Sequence, residues 1–195
     1  MFTINPCAAG CGRSAITGCN LCSVHLANPE QEHRRICAYI ARNPVIKDMN
    51  VSGMRFEETD FSNHNFYGCD FRESSFINCN FSGVKIRMSF FDFSHFDICS
   101  FIKSDIQFLS FAGSRFYDCL FESSEIVHVN FGGASFNKTS FNDSNLYNSR
   151  FINADFEKAK IINCNLKRVN FVDSKYKEII FKSSNTAEAV FEAEE

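Results

Sequence analysis

The residues best equipped for chemistry stand before position 26: Cys7, Cys11, Cys19, Cys22 and His25. Cys7 and Cys11 are spaced C-x3-C, and Cys22 and His25 are spaced C-x2-H. Two such close pairs, brought together by two loops, supply the nitrogen and sulfur donors of a tetrahedral zinc. Four strong donors close the coordination sphere, so the zinc expected here is structural rather than catalytic. Cys19 is a fifth donor and stands as the alternative to His25, giving a four-cysteine site. The competing reading is a short cysteine-rich tail that binds no metal. Elsewhere the chain has no P-loop, no H-E-x-x-H and no G-x-S-x-G. His64, His95 and His128 are scattered over different positions, none with an acid partner at matched spacing. No catalytic residue is assigned and no enzyme is expected.

Composition narrows the classes further. The chain has 195 residues and a formal net charge of -3, with acids and bases interspersed. Nucleic-acid-binding domains are usually basic, so nucleic acid is not an expected partner. No basic start followed by an apolar core opens the chain, and no run of about 18 apolar residues crosses it, so a soluble, cytoplasmic protein is expected. Two counts are abnormal: 24 Phe with no Trp, and 10 Cys. In a reducing compartment those cysteines are metal ligands and buried thiols before they are disulfides.

The phenylalanines explain themselves by spacing. Stepping by five from Phe56 meets Phe61, Phe66, Phe71, Phe76, Phe81, Ile86, Phe91 and so on to Phe181, every position large and apolar. Ile46 and Val51 extend the series backward. A period of five fits neither a helix nor a strand. It fits a chain that turns a corner every five residues and points one large side chain inward per side. The residue two before each large one is mostly small, as in Ser74, Cys79, Ser94, Cys99, Ala134 and Ala154. Sorted by twenty, one column is almost wholly aliphatic (Ile46, Ile86, Ile106, Ile126, Leu146, Leu166), and Cys79, Cys99 and Cys119 share another. Four sides per coil follow, and about seven coils rising about 4.8 Å each make a rod on the order of 30 Å long. The stacked cysteines lie within disulfide reach but are read as inert buried thiols.

Small-[Asn/Asp/Ser]-[Phe/Leu] triplets such as Cys69-Asp70-Phe71, Cys79-Asn80-Phe81, Ser144-Asn145-Leu146 and Ala154-Asp155-Phe156 resemble the pentapeptide-repeat family. The resemblance implies an all-β solenoid, a right-handed quadrilateral parallel β-helix, over residues 46–184. The segment from Cys7 to His25, with Gly10, Cys11, Gly12 and Arg13, resembles the zinc knuckles that open some bacterial proteins. Residues 1–45 are therefore expected to form a zinc knuckle and a capping helix. Asn28 is the expected N-cap, Pro29 the first helical residue and Asn43-Pro44 the stop, with Ile36 and Ile40 facing the open first coil. Residues 185–195 are expected to form a short helix over the last coil, leaving Phe191 in phase by accident.

Outward positions are not dictated by such a fold. Most are polar, but Met88, Phe90, Phe93, Ile98, Phe108 and Leu120 are apolar and form a candidate interaction patch. Gly113 and Gly133 follow Phe93 in its column and are expected to leave that wall flat. The leading expectation is a non-enzymatic bacterial scaffold that binds an unknown protein partner or itself. The family resemblance adds a second, a DNA mimic that modulates gyrase or topoisomerase. That role asks for a strongly acidic rod, whereas acids and bases nearly balance along residues 51–181. The acidic tail at Glu192, Glu194 and Glu195 is short. A zinc or redox sensor working through the amino-terminal cysteines is the third.

Overall fold

An extended chain that bends every five residues can close on itself only if every bend is sharp. The computed structural model, which describes residues 5–192, bends at each position two after a large inward residue. Every one of these corners, from Asp48 to Ser183, has positive φ. Between corners the chain is straight and its central side chain points in: every member of the series from Ile46 to Phe171 is buried. The outcome is a parallel solenoid with four walls and a register of twenty, Ile46 pairing with Phe66 and Phe56 with Phe76.

The walls are not equivalent. The first, centred on the Ile46 column, is a five-stranded parallel sheet running from Val45–Lys47 to Glu125–Val127. The third, opposite it, is a seven-stranded sheet from Arg55–Glu57 to Lys175–Lys177. The second is a ladder of single bridges from Asn50↔Asp70 to Asn170↔Val190. The fourth is a similar ladder that ends in the paired strands Lys160–Ile162 and Ile180–Lys182.

Rings fill the tube in two directions. Along the rod they stack on one another, as Phe61 on Phe81 at 4.5 Å and 2°. Around one coil they meet edge to face, as Phe56 with Phe61 at 5.4 Å and 77°. Burying each ring contributes about 1.5–3 kcal/mol. The small inward residues close the remaining polar accounts. The Ser94 hydroxyl donates to the Phe71 carbonyl at 2.9 Å and accepts from the Ser74 backbone at 3.2 Å, tying adjacent coils. Cys79, Cys99 and Cys119 use their thiols the same way, toward the carbonyls of Phe56, Phe76 and Phe96. Among the described residues all ten cysteines are free.

Helix α1 (Pro29–Arg42) covers the first coil. Asn28 caps it by accepting from the Gln31 backbone at 3.0 Å, and Ile36 and Ile40 are buried against the tube. His64 binds the helix end, its Nε2 lying 3.0 Å from the Ile40 carbonyl oxygen and its Nδ1 2.8 Å from that of Ser62. No helix among the described residues is long and apolar enough to cross a membrane.

The carboxy-terminal end differs from expectation. A single 3₁₀ turn, Thr186–Glu188, replaces the helix. Val190 then rejoins the second-wall ladder opposite Asn170, and Phe191 stacks on Phe171 at 5.1 Å. Phe191 is in phase because it belongs to the repeat. Glu194 and Glu195 lie outside the described residues.

Candidate metal centre and interaction face

Two tight turns present the candidate metal-binding residues. In the first, Pro6 bridges Ser14, the Cys7 amide donates to the Arg13 carbonyl at 2.9 Å, and Gly10 and Gly12 take positive φ. This loop holds Cys7 and Cys11 on one side. In the second, the His25 amide donates to the Cys22 carbonyl at 3.0 Å, which sets Cys22 and His25 side by side. The Cys7, Cys11 and Cys22 sulfurs and the His25 ring nitrogen all lie within 4.8 Å of one another. His25 Nδ1 is 3.6 Å from Cys7 Sγ and 3.3 Å from Cys22 Sγ, and Cys11 Sγ is 3.7 Å from Cys22 Sγ. A zinc with about 2.3 Å to sulfur and about 2.0 Å to nitrogen has tetrahedral edges of roughly 3.5–3.8 Å, so the donors fit it. The Cys22 amide supports the cage from outside by donating to Cys7 Sγ at 3.3 Å.

The electrostatics of the cluster favour thiolate at Cys22 and Cys7. At Cys11 the hydrogen bond with the Arg13 backbone lowers the pKa, but burial and the neighbouring Cys22 and Cys7 sulfurs outweigh it and push the thiol up. Burial pushes the Cys22 thiol up, but hydrogen bonds with His25 and the Val24 backbone outweigh it and bring the pKa down to about 6. The Cys22 backbone lowers that of Cys7, and the hydrogen bond to Cys22 raises that of His25. Cys19 stands apart. Its sulfur accepts from the Leu21 amide at 3.4 Å and packs against the core, outside the four-donor group. The alternative four-cysteine site is thus not the one the fold assembles.

The cluster is tied to the rod by the extended segment between its two pairs. The Thr17 amide donates to the Asn50 carbonyl at 2.9 Å, and the Asn50 amide returns to Thr17 Oγ1 at 2.7 Å. Residues 15–17 thereby stand where a preceding coil would pair with the second wall. Ile16 joins Ile36 and Ile40 in the core.

Of the six apolar outward residues, the solenoid gathers four and separates two. Met88 and Phe108 stand on the corner between the first and second walls. Phe90 lies on the second wall, and Phe93 stands on that wall's far corner. Ile98 sits on the corner between the third and fourth walls, and half-buried Leu120 lies on the fourth, opposite wall. The six are therefore not one patch. The same twenty-residue frame that sorts the core also sorts these outward positions. It adds Ile152, Ala112 and Gly132 to the second wall, which the reading of single apolar residues passed over. Nor is the Phe93 corner flat. The Phe93 ring leans over Gly113 so closely that a Cβ there would lie 2.6 Å from it, whereas nothing comes within 4 Å of the same point at Gly133. A knob is followed by a hollow. Phe108 stacks on His128 at 4.8 Å, and Arg72 lies over the Phe90 ring at 5.9 Å.

Comparison with known proteins agrees with this architecture. Family models described as "Pentapeptide repeats (8 copies)" and "Pentapeptide repeat region" match residues 52–87 and 114–191, together more than half of the chain. No curated protein sequence matches. Among solved structures, a trypsin-treated variant of QnrB1, a plasmid-mediated fluoroquinolone resistance protein, is 17% identical over 72% of this chain and 82% of its own, with a TM-score of 0.52. A pentapeptide repeat protein of the Arabidopsis thaliana thylakoid lumen is 23% identical over 52% of this chain and 68% of its own, with a TM-score of 0.32. The first of these likenesses bears on the fold alone.

Proposed function

The chain belongs to the pentapeptide-repeat family, and from that premise we propose that it is a non-enzymatic interaction rod. A zinc held by Cys7, Cys11, Cys22 and His25 locks the cap, and the second wall with its two corners receives a protein. The observation that carries this reading is the identity of the corner residues. Left-handed corners are cheapest for Gly, Asn and Asp, and such residues stand at Asn63, Gly68, Asp118 and Asn148. Met88, Phe93 and Phe108 take the same conformation while 61%, 65% and 56% exposed. The left-handed backbone does not call for apolar side chains there. Exposed apolar groups gathered on one wall mark a contact surface.

Zinc content is the first test: protein purified without chelator is expected to carry about one zinc per chain. Cys22→Ser should lose it and Cys19→Ser should keep it. The wall is tested with Phe93→Asn and Phe108→Asn, which suit the left-handed backbone. Both should fold with unchanged circular dichroism and lose the protein crosslinked to the wild type in extract of its own cells. Equal recovery by wild type and variants overturns the reading. A gyrase-directed role, raised by the family resemblance, lacks comparable support, because acids and bases alternate on the walls. On the third wall alone Arg55, Arg115 and Lys175 share the surface with Glu57, Asp155 and Glu157. Supercoiling by purified gyrase is expected to be unchanged at micromolar protein.

A further inference from the structure

We propose that the occupant of the second wall is a second copy of this chain, packed face to face and antiparallel. The proposal rests on the reading of that wall as an interface and names its partner. The ladder puts Asp70, Phe90, Ser110, Asn130 and Arg150 on successive levels of the wall. Its left corner carries Asp48, Met88, Phe108, His128 and Arg168 in one column of twenty-residue steps, with Gly68 and Asn148 between them, and its right corner carries Glu73, bound by Arg13, then Phe93, Gly113 and Gly133. A two-fold axis lying between two such walls, across the rods at the level of Ser110, keeps like corners together and reverses the levels.

Four matches then fall into place at one setting. Phe93 meets the hollow at Gly133 of the second copy. Asp70 meets Arg150, and on the left corner Asp48 meets Arg168. Phe108 meets Phe108 on the axis. Among the described residues Asp48, Arg150 and Arg168 have no intrachain ion pair, so Asp48 with Arg168 is the free charge match, while the Asp70 carboxylate, 13% exposed, already takes two hydrogen bonds from Arg72, at 2.9 and 2.5 Å. The alternative two-fold, with parallel rods, places Asp70 on Asp70 and Arg150 on Arg150, and like charges in contact exclude it. Exposed ion pairs add little affinity. They set the direction of packing, while Phe93 in the Gly133 hollow supplies the knob-in-hollow fit of an isologous interface.

The test is the oligomeric state of the full chain by sedimentation equilibrium from micromolar to submillimolar concentration. A dimer is expected. Gly133→Asn fills the hollow with a residue that tolerates positive φ and should weaken the dimer about tenfold or more, with the melting curve of the monomer unchanged. Arg150→Asp should weaken it as well, and adding Asp70→Arg to that variant should restore it. Ala112→Cys, near the axis, should form an oxidised dimer with itself, and Asn170→Cys should not. A monomer at every concentration, a dimer indifferent to Gly133→Asn, or failure of the double swap to restore overturns the proposal. If the chain is monomeric but its Phe93→Asn variant still loses a different captured protein, the interface reading stands and this proposal falls. If neither dimer nor captured protein responds, both fall.

Discussion

Each corner residue must enter the left-handed region, at a cost of roughly 1–2 kcal/mol for ordinary side chains. The cost is greatest for a β-branched one. Ile98 pays it at φ 53 with 54% of its surface exposed, so little packing offsets the strain. Ile98→Asn should therefore raise the urea midpoint, by about 1 kcal/mol in stability. An unchanged or lower midpoint would mean that Ile98 packs better than its exposure implies. Inside the tube the logic reverses. The hydrogen bond with Cys119 and burial outweigh the lowering effect of the bond to Cys79 and push the Cys99 thiol up to about 12, so it stays protonated and unreactive at neutral pH. Cys99→Ser keeps the donor to the Phe76 carbonyl and should cost at most about 1 kcal/mol. Cys99→Leu overfills the column and should cost about 1–3 kcal/mol, read from the same denaturation curves. These inner roles were legible from spacing alone, because the small position falls two before each Phe without exception of register. The gathering of Cys7, Cys11, Cys22 and His25 into one cluster was legible too. What excludes Cys19 is a local turn: the Leu21 amide and the core hold its sulfur aside.

The cap works as an element because its residues face two ways. Ile36 and Ile40 are one helical turn apart and both buried on the open coil, with His33 tilted onto Phe56 at 5.4 Å. Ile40→Ala should leave a cavity against the first coil and cost about 2–5 kcal/mol in a denaturant titration. His64→Ala should cost less, since it removes a tether and leaves the apolar contact intact. An Ile40→Ala effect below that of His64→Ala would show that the tether, and not the packing, holds the helix. The helix could be read from Asn28, Pro29 and Asn43-Pro44, since caps and prolines act through their immediate neighbours. The pairing of Thr17 with Asn50 could not, because residues 33 apart meet only when the intervening helix has folded across the end. At the other terminus, the helix expected over residues 185–195 does not form beyond one 3₁₀ turn, Thr186–Glu188. The Asn170↔Val190 bridge and the Phe171–Phe191 stack take its place, because they extend a ladder already built.

For the whole molecule, the solenoid has one consequence that a globular core lacks. Each coil touches only the coils beside it, so stability is passed along the rod by neighbours, and a lesion at one end stays there. The segment that holds the Cys/His cluster meets the first coil through Thr17 and Asn50 and the second through the Arg13–Glu73 ion pair at 3.4 Å, and touches none further along the rod among the described contacts. Zinc removal is therefore predicted to free the amino-terminal end without unfolding the rod. Hydrogen exchange before and after chelation should show amides of residues 46–54 exchanging about tenfold faster or more, while those of 130–171 keep their protection. The Asn50 amide, bonded to Thr17 Oγ1, and the Val51 amide, bonded to the Asp70 carbonyl, report the two sides of the boundary. Equal loss everywhere would mean that the cluster stabilises the solenoid as one cooperative unit. No change at Asn50 would mean that helix α1 alone closes the tube, and that the segment at 15–17 stays paired after chelation. A graded loss that fades toward the Phe131 coils is the result the stacked architecture requires, because no contact bypasses the intervening coils to carry the effect further.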